Sequence, residues 1–230
     1  MNELTTTAMV LIVMPIGEYD RRVELLSADL GRISAFARGA RKPGSSLISV
    51  TRVFAFGTFT LYQGKSAYSL HSAHITRYFD ELTANMDHIY FGFYFLEVAQ
   101  YFTRENLRAE EELKLLYYSL RALDKDALDD RLVKSIFELK MLVLAGLCPP
   151  RDRLAVPPER PAPPWDNYID GAISPGCLRA LTHVIGMPVE KLYSFALTPE
   201  VQDEFTSIIT RMLRFNVDKE FKSEKMLEPI

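Results

Sequence analysis

No Asp or Glu occurs between Leu30 and Phe79, although the 230-residue chain holds 30 of them. That gap favours an anion-binding face over a run of basic residues there by chance. Cysteine is nearly absent too, with Cys148 and Cys177 the only two. Two thiols exclude a disulfide framework and make a reducing cytoplasm the expected compartment. They cannot fill a tetrahedral zinc site without two more ligands, and His71, His74, His88 and His183 form no Cys/His cluster at zinc spacing. Long hydrophobic runs are also missing. The start Met-Asn-Glu has no basic flank, and Thr5–Gly17 is interrupted by three Thr and by Pro15. That is a strand pattern, not a signal peptide or membrane span.

Catalytic and nucleotide motifs are lacking as well. Gly39-Ala-Arg-Lys-Pro-Gly44-Ser45 imitates a phosphate loop, but the Walker pattern needs Lys directly after the second Gly and a helix to follow. Ser45 takes that place, and Leu47-Ile-Ser-Val-Thr-Arg-Val reads as a strand. There is no G-x-S-x-G elbow, no H-E-x-x-H and no carboxylate pair in a Gly-rich setting. The residues therefore give an enzyme little support and call for no cofactor.

What is present is an ordinary globular composition, 48% hydrophobic and 25% charged, which excludes a disordered, collagenous or membrane-embedded chain. The net charge of −3 hides two opposite parts. Residues 1–77 hold nine Lys and Arg against five Asp and Glu, giving +4, and the remainder holds 18 against 25, giving −7. Such asymmetry suggests a nucleic-acid-binding part joined to something else.

Residues 6–77 read as short strands. The run from Ala8 to Val13 is apolar on both sides, Pro15-Ile-Gly17 turns the chain, and Val23–Leu26 follows as a second strand. Arg32–Arg38 alternates, with Ile33, Ala35 and Ala37 on one face and Arg32, Ser34, Phe36 and Arg38 on the other. Gly39–Ser46 reads as a flexible basic loop. Thr51–Tyr62 and Ala67–Arg77 form a hairpin about Gln63-Gly64. Four to six such strands suit a small sandwich or barrel, of which the OB-fold is one.

After Asp80 the period lengthens. Leu82, Met86, Ile89, Phe93 and Leu96 predict one helix over 80–103, Leu113–Leu123 a second, and Leu128–Val143 a third that Gly146 ends. Pro149–Pro164 holds seven of the thirteen prolines and reads as an extended connector. Ser174-Pro175 and Thr198-Pro199 start two further helices. The expected architecture is α+β, with a barrel over 1–79 and an all-α part over 80–230, the proline-rich connector occupying 148–173.

On the exposed face of the Arg32–Arg38 strand, Arg32, Phe36 and Arg38 project together with Arg41 and Lys42 beyond. Guanidinium groups neutralise phosphates and an aromatic ring stacks on a base. The candidate DNA-binding residues are Arg32, Phe36, Arg38, Arg41, Lys42, Arg52 and Lys65. Solvated arginines and a covered Phe36 are the plain alternative.

Several segments also carry a family resemblance. Gly17-Glu-Tyr-Asp-Arg21, Leu25-Leu-Ser-Ala-Asp-Leu-Gly-Arg-Ile33, Phe36-Ala-Arg-Gly-Ala-Arg-Lys-Pro-Gly-Ser45, Tyr78-Phe-Asp80, Phe137-Glu-Leu-Lys140 followed by Gly146, and Phe221-Lys-Ser-Glu-Lys-Met-Leu227 occur in that order. In this order and spacing the chain resembles the RecO family of bacterial recombination mediators, over most of its length. The resemblance implies an N-terminal OB-fold and a helical domain, binding of single- and double-stranded DNA, and strand annealing. It also implies action with RecR to load RecA onto DNA coated by single-strand-binding protein, in a bacterial, nucleoid-associated setting. Arg38, Arg41 and Lys42 match its basic loop. Many RecO-like sequences carry two C-x-x-C pairs as a zinc module. Here Cys148 and Cys177 stand alone, so no metal is expected. The acidic-apolar tail of single-strand-binding protein would sit in a helical groove, with Arg131, Lys134 and Lys140 as candidates. An OB-fold adaptor and an RNA-binding OB protein remain the alternatives.

Overall fold

The apolar run after Glu3 forms β1 (Glu3–Ile16) in a computed structural model that describes residues 2–65, 67–125, 127–154, 164–169 and 171–227. Four more strands follow: β2 (Asp20–Ser27), β3 (Gly31–Ala37), β4 (Phe56–Gln63) and β5 (Tyr68–Arg77). They close into a barrel in the order β1-β2-β3-β5-β4, with β4 returning to β1. Only the β3–β5 pairing is parallel. This is an OB-type barrel, in which β3 meets β5 only at Ala35 and Phe36 and leaves its first residues to other partners.

The period of two sorts the side chains. Val10, Val23, Leu25, Ile33, Ala35, Phe59 and Leu61 fill the barrel. Met9, Leu11 and Leu26 point the other way and join the helical core. The doubly apolar reading of β1 has this cause: the strand serves two cores at once.

Leu47-Ile-Ser-Val is not a strand. It forms the short helix α1 (Leu47–Val50), whose Leu47 and Val50 are buried against the barrel core. β5 takes the place beside the end of β3, pairing at Ala35 and Phe36. The returning hydroxyl of Thr51 donates to the Leu47 carbonyl at 2.6 Å. Strand structure accordingly resumes at Phe56 instead of Thr51.

The helix expected over 80–103 is divided into α2 (Asp80–Ala84) and α3 (Met86–Phe102). Asn85 causes the break, since its side-chain oxygen accepts the Asp87 and His88 amides at 2.9 and 3.3 Å and so begins a new helix. The next helices are α4 (Glu110–Asp124), α5 (Asp130–Leu144, capped by Asp129), α6 (Pro175–Gly186) and α7 (Pro199–Asn216). Ser174 caps α6 as its sequence indicates, accepting the Cys177 amide at 3.2 Å. Gly146 follows α5 with φ +71. Residues 155–163 and 170 of the proline-rich connector lie outside the described residues. Its described end is packed, with Trp165 fully buried and its indole N–H donating to the Pro150 carbonyl at 2.9 Å.

Backbone hydrogen bonds seam the two halves together. The Arg32 amide donates to the Arg104 carbonyl at 3.2 Å, Asn106 to Leu30 at 2.9 Å and Ala109 to Ala28 at 3.0 Å. Gly31 makes this approach possible: it has φ +69, and a Cβ there would lie 2.0 Å from the Arg104 carbonyl oxygen. Among the described residues no helix is long and apolar enough to cross a membrane.

Candidate nucleic-acid interface

OB barrels use the face of their second and third strands, flanked by the β1–β2 and β4–β5 loops. Here that face presents Arg22, Glu24, Arg32, Ser34 and Phe36. Arg22 stands directly opposite Phe36 in the β2–β3 ladder. Phe36 is 37% exposed, the strand's one large apolar group in water, while Ile33, Ala35 and Ala37 are buried as their alternation requires. Arg22 donates to the Ser34 hydroxyl at 2.6 Å. Arg32 lies 3.6 Å from Glu24 and is half-buried.

The basic segment past β3 is held in place and is not a free loop. Asp20 accepts the Gly39 amide at 2.7 Å. The Arg41 amide donates to the Tyr19 carbonyl at 2.8 Å and its guanidinium to the Gly17 carbonyl at 3.2 Å. The Lys42 ammonium sits over the Tyr19 ring, 5.5 Å from its centroid. Glu18 holds the exposed Tyr19 hydroxyl and raises its pKa. Arg38, Arg41 and Lys42 are all exposed, and Arg38 has no partner among the described residues. Lys65 is exposed on the β4–β5 loop.

Other cations of the acid-free stretch are engaged by acids from outside it. Arg52 pairs with Asp80 at 3.3 Å and lies over the Tyr78 ring. Arg77 binds the buried carboxylate of Asp124, whose other oxygen accepts the Leu82 amide at 2.9 Å. Both link the barrel to the helices. The cations left for an anion therefore gather around β3 and its following turn. Sequence reasoning missed Arg22 and Tyr19. Arg22 sits among acids in sequence, and only the ladder register places it beside Phe36.

The helical candidates do not converge. Arg131 is exposed at the start of α5. Lys134 reaches buried Glu138 at 2.7 Å and Glu224 at 3.7 Å, and lines a groove of about 540 Å³ with Leu213, Val217 and Phe221. Lys140 is buried, donating to the Val184, Ile185 and Met187 carbonyls at 3.3, 3.4 and 2.7 Å. It closes the end of α6, and burial lowers its pKa. A second groove, of about 380 Å³, sets Arg179 and His183 beside Phe195, Leu197 and Val201.

Cys177 is buried and Cys148 partly so; burial pushes both thiols up to about 12, so neither supplies a ready thiolate. Among the described residues no group of three or more His, Cys, Asp or Glu is placed to hold a metal ion.

A closed OB barrel with a basic, aromatic face, sealed to a bundle of helices, defines the class: an OB-barrel protein with a helical companion domain. The family model described as "Recombination protein O N terminal" matches residues 1–79, and that described as "Recombination protein O C terminal" matches residues 84–225. The chain belongs to the RecO family of DNA repair proteins. The DNA repair protein RecO of Acetivibrio thermocellus is 25% identical over 96% of this chain and 94% of its own length. That of Thermoanaerobacter sp. is 24% identical over 99% and 98%. The Clostridium novyi protein is 34% identical over 61% of this chain and 55% of its own.

Proposed function

We propose that this protein is a non-catalytic recombination mediator of the bacterial nucleoid. It holds single- and double-stranded DNA on the barrel, anneals complementary strands and, with RecR, helps load RecA onto DNA coated by single-strand-binding protein. The observation that carries the reading is the ordered turn of Arg38, Arg41 and Lys42, set by Asp20 at the end of β3, where Phe36 is exposed opposite Arg22 of β2. Cations there meet phosphates and the ring meets a base, so binding is independent of sequence and weakens with salt. The acidic helical part repels the strand and is left to protein partners. An acidic-apolar tail fits the α6–α7 groove, where Arg179 stands beside Phe195 and Leu197, better than it fits the region of Lys140.

The test compares DNA affinity of Arg38→Glu/Arg41→Glu with the parent at two salt concentrations. The double reversal is expected to weaken both DNA forms and to flatten the log–log salt plot by about 0.7 per lost single-strand phosphate contact. Unchanged affinity removes the turn from the binding site.

A further inference from the structure

The ladders place five outward residues in one row across the barrel. Arg22 on β2 faces Phe36 on β3, Phe36 faces Ser69 on β5, Ser69 faces Tyr62 on β4, and Tyr62 faces Glu3 on β1. The inward residues beside them, Ala35, Leu61 and Leu70, are buried, which fixes the sense of the row. Ser69 is thus a small floor between two aromatic rings. Their backbone positions stand two interstrand spacings apart, about 10 Å. Exposed His71 packs edge-on against Tyr62, ring centroids 5.2 Å apart, and the Tyr62 hydroxyl donates to Glu3 at 2.8 Å. Two residues beyond Phe36 and Ser69 along their parallel strands come Arg38 and His71, so cationic and imidazole groups border the row.

We propose that Tyr62 is a second base-stacking position, so that unpaired nucleotides lie across β3, β5 and β4 with one base on Phe36 and the next platform at Tyr62. The inference rests on the DNA-binding reading above and narrows it to single strands at this face. Rings accept a base only when its π-face is free, and a duplex offers phosphates and base edges instead. Glu3 ends the track, because a carboxylate repels the backbone.

The test uses the full chain with fluorescein-labelled oligo(dT) and a duplex of equal length. Tyr62→Leu is expected to weaken oligo(dT) binding about fivefold or more while leaving the duplex within about twofold; Tyr62→Phe keeps parental affinity. Parental oligo(dT) affinity in Tyr62→Leu, or an equal loss for both DNA forms, overturns the proposal. Arg38→Glu/Arg41→Glu runs in parallel. If the parent binds neither probe, both readings fall; if the parent binds and the charge reversal weakens both probes, the Tyr62 result judges the stacking position alone. Should Tyr62→Leu not fold, Tyr62→Trp serves, since the chain's one tryptophan, Trp165, is buried. Oligo(dT) should quench the new indole and the duplex should not; no quenching by oligo(dT) overturns the proposal.

Discussion

Asp20 accepts the amide hydrogen of Gly39 at 2.7 Å, tying the β1–β2 turn to the turn that carries Arg38, Arg41 and Lys42. An acid thus stands beneath the most basic part of the molecule. The chain in this turn reverses through Gly39 at φ +67 and Gly44 at φ +76, a conformation glycine adopts without strain. The carboxylate fixes the reversal and so fixes where the three cations point.

Asp20→Ala should lower stability by about 1–3 kcal/mol, because a partly buried amide loses its acceptor. Asp20→Asn keeps an acceptor and should lose less than half of that. Urea unfolding of the two variants checks it, and equal losses would show that charge, not the hydrogen bond, matters at this position.

Gly31→Ala should be among the most damaging single changes in the chain. The added methyl meets the Arg104 carbonyl oxygen at 2.0 Å and the Leu107 carbonyl oxygen at 2.4 Å, both backbone, and φ is positive as well. A loss of about 3 kcal/mol or more, or failure to fold, is expected. Gly17→Ala has positive φ but open space around it and is expected to cost about 1–2 kcal/mol. Comparing their melting temperatures separates the seam contact from backbone strain.

Acid should release the C-terminal segment. Burial raises the pKa of Glu97, but the Ser223 amide at 2.9 Å, the Ser223 hydroxyl at 2.7 Å, the Lys222 amide and Lys219 together outweigh it and leave the carboxyl below its ordinary 4.5. Since the folded value is depressed, this contribution is fully present above 4.5 and is lost as pH falls through the folded value. The protection of the Ser223 amide, its exchange taken relative to the intrinsic rate at each pH, should therefore fall on acidification below 4.5. In Glu97→Gln that protection should lose its pH step.

Much of the barrel was legible in the sequence because a period of two is a local property. The alternation of Ile33, Ala35 and Ala37 against Arg32, Ser34 and Phe36 needed no partner to be read, nor did the cap at Ser174. Leu47–Val50 was not legible as helix, since its β-branched residues favour strand and only its packing on the barrel core makes it one turn of helix. The candidate site suffered from the same limit. A stretch without acids in sequence is not without acids in space: Glu24, Asp80 and Asp124 arrive from other elements to engage Arg32, Arg52 and Arg77. In the same way Arg22 and Tyr62 reach the Phe36 row only through strand register, which depends on pairings far apart in the chain.

The double-sided β1 and the seam at Gly31 have a mechanical meaning. Met9, Leu11 and Leu26 belong to the helical core while their neighbours hold the barrel, so the two halves share a wall and not a tether. A partner docked on the helices is thereby joined to the barrel through packed side chains and not through a linker. The molecule is a lever with both handles cast in one piece.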